Sequence, residues 1–170
     1  MAEIVAQKDE FISYFMGLLG ASASSHPATY KLMHVANLLG TFMAMHYKGI
    51  YNRQRPSQLE PRLLPPLSVP GHASYPSGHA TQAHLVRLCA SKLIPIDRPD
   101  YDKLKIDLWA LAKRIARNRE IAGFHYHSDT VAGHALALAT FTYLEEDRNQ
   151  ADPEIPSYAT IFSAAQAEWR

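Results

Sequence analysis

Six prolines fall between Pro56 and Pro76, joined by Gly71, and this stretch constrains the fold more than any other part of the sequence. Each proline fixes φ and removes a backbone donor, so neither a regular helix nor a central strand runs through it. A loop of about twenty residues inside a compact domain is uncommon and often lines a functional site. On both sides of it, apolar residues recur at spacings of three and four, the period of a helix with one buried face. Phe11, Ile12, Tyr14, Phe15, Leu18 and Leu19 predict a helix over 8–19, ended by Gly20 and the Ala-Ser run to Ser25. Leu32, Val35, Leu39, Phe42 and Tyr47 predict the longest helix, beginning after Pro27 and carrying Lys48 near its far end. Further helices are expected over 78–93, stopped by Pro95, over 100–122, from a cap at Ser128 or Asp129 to about 146, and briefly after Pro156. No alternating segment bounded by hairpin signals occurs. The economical fold is all-α: six helices in a single-domain helical bundle spanning 1–170.

Hydrophobic residues make up 47% and charged ones 19% of the chain, as in an ordinary globular protein. The net charge of +1 supplies no basic field for nucleic acid, so no such partner is expected and any anion site must be local. Cys89 is the sole cysteine, which excludes an internal disulfide framework and a multi-thiolate zinc site. Lys31, His34, Asn37, His46 and Lys48 interrupt the longest apolar stretch, and no transmembrane segment is expected. The opening MAEIVAQKDE lacks the layout of a secretory signal. A soluble protein is therefore expected, with the cytoplasm favoured and a periplasmic or secreted location left open.

Three clusters carry chemistry. In the first, Lys48 and Arg55-Pro56 lie seven apart and would share a helix face if the helix persisted that far, converging on one anion. Taken alone, the pair reads equally as a solvated basic helix end. In the second, Ser74-Tyr75-Pro76-Ser77-Gly78-His79-Ala80 turns directly into a helix, whose unpaired N–H groups favour an oxyanion beside His79. In the third, Arg119 precedes His125 by six and Asp129 follows it by four. Arginine offers a planar fork for phosphate, and an aspartate within reach of an imidazole fixes its tautomer and raises its nucleophilicity.

In this order the clusters resemble the signature Lys-x6-Arg-Pro, Pro-Ser-Gly-His, Ser-Arg-x5-His-x3-Asp. That is the signature of the superfamily of PAP2 (type 2 phosphatidic acid phosphatase), bacterial non-specific acid phosphatases and vanadium-dependent haloperoxidases. The match covers about half of the chain and departs at Asn118, where the family usually has serine supporting the arginine. The resemblance implies that His125 attacks phosphorus in line and that Asp129 holds its imidazole. It implies that His79 protonates the leaving oxygen, while Lys48, Arg55, Ser77, Gly78 and Arg119 bind the phosphate. No metal or other cofactor is needed for that chemistry. In the haloperoxidase alternative the same site would bind vanadate through His125 and oxidise halide with peroxide.

The short chain favours phosphomonoester hydrolysis of a small phosphorylated substrate, with specificity set by the loop at 57–75. His125 is expected to face solvent. Membrane lipid phosphatases share the signature and rank third. A metal site drawn from His72, His79, His125, His127 and His134 is disfavoured because the arginines would repel a cation, and His127 and His134 read as bystanders. A non-catalytic helical module is the remaining class. Self-association is left open, because Tyr158, Phe162 and Trp169 would bury equally well against the domain or against a second copy.

Overall fold

The computed structural model describes residues 2–150 and 157–170, and every regular element among them is a helix. In chain order these are α1 (Ala2–Ala6), α2 (Ile12–Leu19), α3 (Pro27–Tyr51), α4 (Pro56–Leu59), α5 (Gly78–Leu93), α6 (Tyr101–Ile121), α7 (His127–Gln150) and α8 (Tyr158–Ala167). α5 is the central helix, packed against α3, α6 and α7. Its sequence explains the position: Ala80, Ala83, Leu85, Val86, Cys89 and Ala90 are all fully buried, so several faces are apolar or small rather than one.

Two glycines set how closely its neighbours approach. A Cβ on Gly40 of α3 would lie 2.9 Å from Gln82 Cα, and one on Gly133 of α7 would lie 2.7 Å from Ser77 O. Both helices thus cross α5 at positions where a side chain would hold them apart. α3 starts on Pro27, whose missing N–H costs nothing at the first helical position. The Glu168 carboxylate accepts from Ala28 N (2.8 Å) and Thr29 N (2.9 Å), so the end of the chain caps the start of α3 and offsets its dipole. Tyr158 and Phe162 are buried in the chain's own core, and Trp169 donates to Thr29 Oγ1 at 2.9 Å. None of these three needs a second copy to cover it.

The two additional helices, α1 and α4, have five and four residues, too few for periodicity to register. The first predicted helix begins later than expected, at Ile12, and Gln7–Asp9 form a turn ahead of it. Pro156 lies outside the described residues, and α8 follows it as predicted. α3 ends at Tyr51 through Asn52 in the left-handed region (φ 43°). Arg55 therefore does not share a helical face with Lys48; it enters the site from the loop as the cap residue of α4. Among the described residues, no helix is long and apolar enough to cross a membrane.

Candidate active site

The three motifs meet at one end of α5. Ser77 caps this helix, its Oγ accepting from Ala80 N at 3.4 Å, which leaves Gly78 and His79 in the first turn. Arg119 sits in the last turn of α6, and Gly123 (φ 75°) turns the chain so that Phe124 and His125 run back across the bundle. α7 begins at His127, earlier than a cap at Ser128 or Asp129 would allow. Asp129 nonetheless acts on that helix start, with Oδ2 accepting from Tyr126 N at 3.0 Å.

His125 Nδ1 lies 3.2 Å from Asp129 Oδ2, and Ser74 Oγ donates to the same oxygen. Asp129 Oδ1 accepts from Arg53 at 2.7 Å, and the guanidinium stacks 4.0 Å over the Tyr126 ring. A carboxylate acceptor on Nδ1 assigns the ring proton to that nitrogen and leaves Nε2 with its lone pair. Burial raises the Asp129 carboxyl pKa, but hydrogen bonds from His125, Ser74 and Tyr126 more than offset it, and the group sits below the usual range. His125 itself is only 7% exposed, so the expectation of a solvent-facing ring is corrected: it is held inside the fold. Burial is the main cause that lowers its pKa to about 4, with Lys48 and Arg55 contributing and Asp129 opposing.

Lys48, Arg55 and Arg119 surround the same cavity of about 230 Å³ as His125, His79 and Gly78. All three cations are almost fully buried. Lys48 Nζ donates to Ala73 O (2.7 Å) and Ser74 O (2.9 Å). Arg55 donates to His72 O (3.0 Å) and Phe124 O (2.9 Å) and contacts His72 Nδ1 at 3.1 Å. Arg119 donates to Ile4 O at 2.5 Å, while its Nε is buried with no hydrogen-bond partner. Burial, then the neighbouring Arg55, lowers the Lys48 pKa to about 7, and burial lowers both guanidinium pKa values. Three desolvated cations with a single carboxylate among them favour an anion in the space between.

His79 also lines the cavity, and its Nε2 faces Gln7 O at 3.1 Å and Lys8 O at 3.0 Å. Burial, then the positive Arg119, lowers its pKa to about 4. Ser77 is placed differently from the expected phosphate contact. Its N–H donates to Asp129 O at 2.9 Å and its hydroxyl is the helix cap, so it braces the site and does not line the cavity. Of the remaining histidines, His127 is turned to Glu120 (3.2 Å), and His134 stacks on His84 with ring centres 4.2 Å apart. Only His72, His79 and His125 of the five reach the cavity, mixed with arginine and lysine rather than carboxylates. Leu67, Ser68, Pro70 and His72 bring the proline-rich loop to the cavity wall.

Four contributors escaped the sequence reading. Arg53 lay inside the first cluster but off its spacing, Ser74 opened the second without being given a role, and Asn118 was noted only as a departure. Gln7 carried no signal at all. It is fully buried, and Asn118 Nδ2 donates to its Oε1 at 2.8 Å.

An anion cage next to an aspartate-held histidine, built on helix ends, defines an enzyme of the phosphatase type. Comparison with known proteins places it further: the model of the PAP2 superfamily matches residues 29–150, well over half of the chain, and the chain belongs to that superfamily. The fold is similar to the crystal structure of the first transmembrane PAP2 type phosphatidylglycerolphosphate phosphatase from Bacillus subtilis. The two share 18% identity with a TM-score of 0.60, over 91% of this chain and 88% of that one. No curated protein matches.

Proposed function

We propose that the protein is a phosphomonoesterase that works through a phosphohistidine at His125. The observation that carries this reading is the 3.2 Å contact between His125 Nδ1 and Asp129, made in the wall of the cavity that Lys48, Arg55 and Arg119 surround. With Nδ1 protonated towards Asp129, Nε2 is the free nucleophile. It attacks phosphorus, the N–P bond forms as the ester P–O bond breaks, and the departing oxygen takes a proton from His79 in its imidazolium form, which the negative charge of the bound phosphate favours. Water then attacks the phosphohistidine, giving its proton to His79, and the N–P bond breaks to release phosphate. Lys48, Arg55, Arg119 and the first-turn N–H groups of Gly78 and His79 stabilise the equatorial oxygens. No step of this chemistry calls on a metal. Membership of the PAP2 superfamily and the fold likeness to a PAP2 type phosphatase support the same reading.

The test is hydrolysis of a chromogenic phosphate monoester from mildly acidic to neutral pH by the wild type and by His125→Gln. The amide keeps polarity and much of the volume at this buried position. Turnover is expected in the wild type, blocked by vanadate, which mimics phosphate in trigonal-bipyramidal geometry, and absent in the variant. Undiminished turnover in His125→Gln overturns the mechanism.

A further inference from the structure

The segment before α2 carries no motif, yet it touches the site at several points. Ile4 O accepts from Arg119, the carbonyls of Gln7 and Lys8 both face His79 Nε2, and Lys8 lines the cavity. The segment is anchored through Gln7, whose side chain accepts from Asn118 Nδ2 at 2.8 Å and donates to Glu3 Oε1 at 2.7 Å. Glu3 in turn meets Arg114 Nε at 2.7 Å. Gln7 is thus a fully buried amide with a partner on each end, the condition under which a polar group specifies one arrangement.

We infer that residues 4–8 form a strap that belongs to the catalytic site, and that Gln7 is a positioning residue which, through its backbone carbonyl and side-chain anchor, holds His79 as the Nε2–H tautomer. Carbonyls only accept, so a ring nitrogen at 3.0–3.1 Å from two of them carries the proton. Nδ1 is then the atom left for proton exchange with a group bound in the cavity. The strap also shields the ring from water together with Phe11, whose ring centre lies 6.0 Å from that of His79. The charged and titratable groups that act on His79 from other elements are Arg119 of α6 and His125 of the following loop. Asn118 acquires a role in this arrangement: where the family usually has a serine, this chain has a longer amide that reaches Gln7.

The catalytic consequence rests on the phosphatase reading, but the tautomer does not, and the experiment separates them. Gln7→Met keeps an unbranched side chain of similar size and removes both amide contacts. Heteronuclear NMR of ring-¹⁵N-labelled protein is expected to show a slowly exchanging His79 Nε2–H in the wild type. In Gln7→Met that proton should be lost to solvent exchange, and the His79 titration should move up towards the ordinary histidine value. kcat is expected to fall about ten- to a hundredfold with KM changed less than about threefold, because Lys48 and Arg55 are untouched. If Gln7→Met does not fold, Asn118→Ala breaks the same link from α6 and should give the same signature. A protected His79 N–H in a wild type without turnover upholds the strap and overturns only the reaction. A His79 N–H that exchanges as fast as a free imidazole, or one equally protected in both proteins, overturns the strap.

Discussion

Asp129→Asn tests the organisation of the site more sharply than removal of any of its cations. The carboxylate serves four donors: His125 Nδ1, Ser74 Oγ and Tyr126 N on Oδ2, and Arg53 on Oδ1. An amide has one acceptor and one donor end, so its NH₂ must face either Arg53 or the other three. With the oxygen kept at the Oδ2 position, the NH₂ points at the guanidinium and Arg53 loses its buried partner. A charge-assisted hydrogen bond contributes about 1.5–3 kcal/mol, and the Arg53 side chain is 38% exposed, so water recovers part of the loss. A net cost of about 1–2 kcal/mol follows, lowering Tm by roughly 2–8 °C for a chain of this size. With the NH₂ instead at the Oδ2 position, His125 is driven to the other tautomer and its Nε2 acquires the proton, which removes the nucleophile. In either case kcat should fall about 10²- to 10⁴-fold, since an uncharged partner no longer stabilises an imidazole that becomes positive. Calorimetry and steady-state hydrolysis at pH 6 on the same preparation measure both effects. A variant with wild-type Tm and wild-type kcat refutes the reasoning, and a lowered Tm with unchanged kcat reduces Asp129 to a structural brace.

Lys48, with its pKa lowered to about 7, should make anion binding pH-dependent. A bound anion holds the proton on the lysine, so affinity for sulfate, whose charge is constant over this range, should weaken by up to about tenfold per pH unit above 7. Lys48→Met should abolish that slope in calorimetric titrations. Stability should be lost towards acid, because His79 and His125 fall to about 4 and His84 to about 3, whereas an unfolded chain takes up protons near 6.5. Their contribution is complete above about pH 6.5 and shrinks as pH falls towards 4, so a Tm that is level from pH 7.5 to 5 contradicts the burial of these rings. Gly133→Ala would press a methyl to 2.7 Å from Ser77 O and 2.8 Å from Ala80 Cβ. It should cost about 1–3 kcal/mol by thermal melting and lower activity by moving the start of α5 off Asp129.

The helical periods and the proline punctuation made most of the architecture legible in the sequence, because a helix buries one face and its spacing is a local property. α3, α5 and α6 fall where apolar spacing puts them, α2 ends at Gly20 as expected although it starts later, and α8 follows Pro156. The motif residues were legible for the same reason: a Ser-Gly-His turn at a helix start and a His-x3-Asp pair at a helix entry are short-range chemistry. What the linear pattern could not express was the route by which each group arrives. Arg55 reaches the cavity from a loop after α3 has ended, since Asn52 takes the left-handed conformation and breaks the face it would have shared with Lys48. His125 is buried rather than exposed because Gly123 folds the chain back over the bundle. Ser77 donates its N–H to Asp129 O and accepts from Ala80 N of its own helix because α7 crosses α5 at Gly133, an approach set by packing. Gln7 pairs with Asn118 across 111 residues of chain. The sequence alone determined which residues could carry phosphate chemistry and which segments would be helical. Only the tertiary structure decided which donors remain available to an anion, because that depends on every buried polar group finding a partner far along the chain.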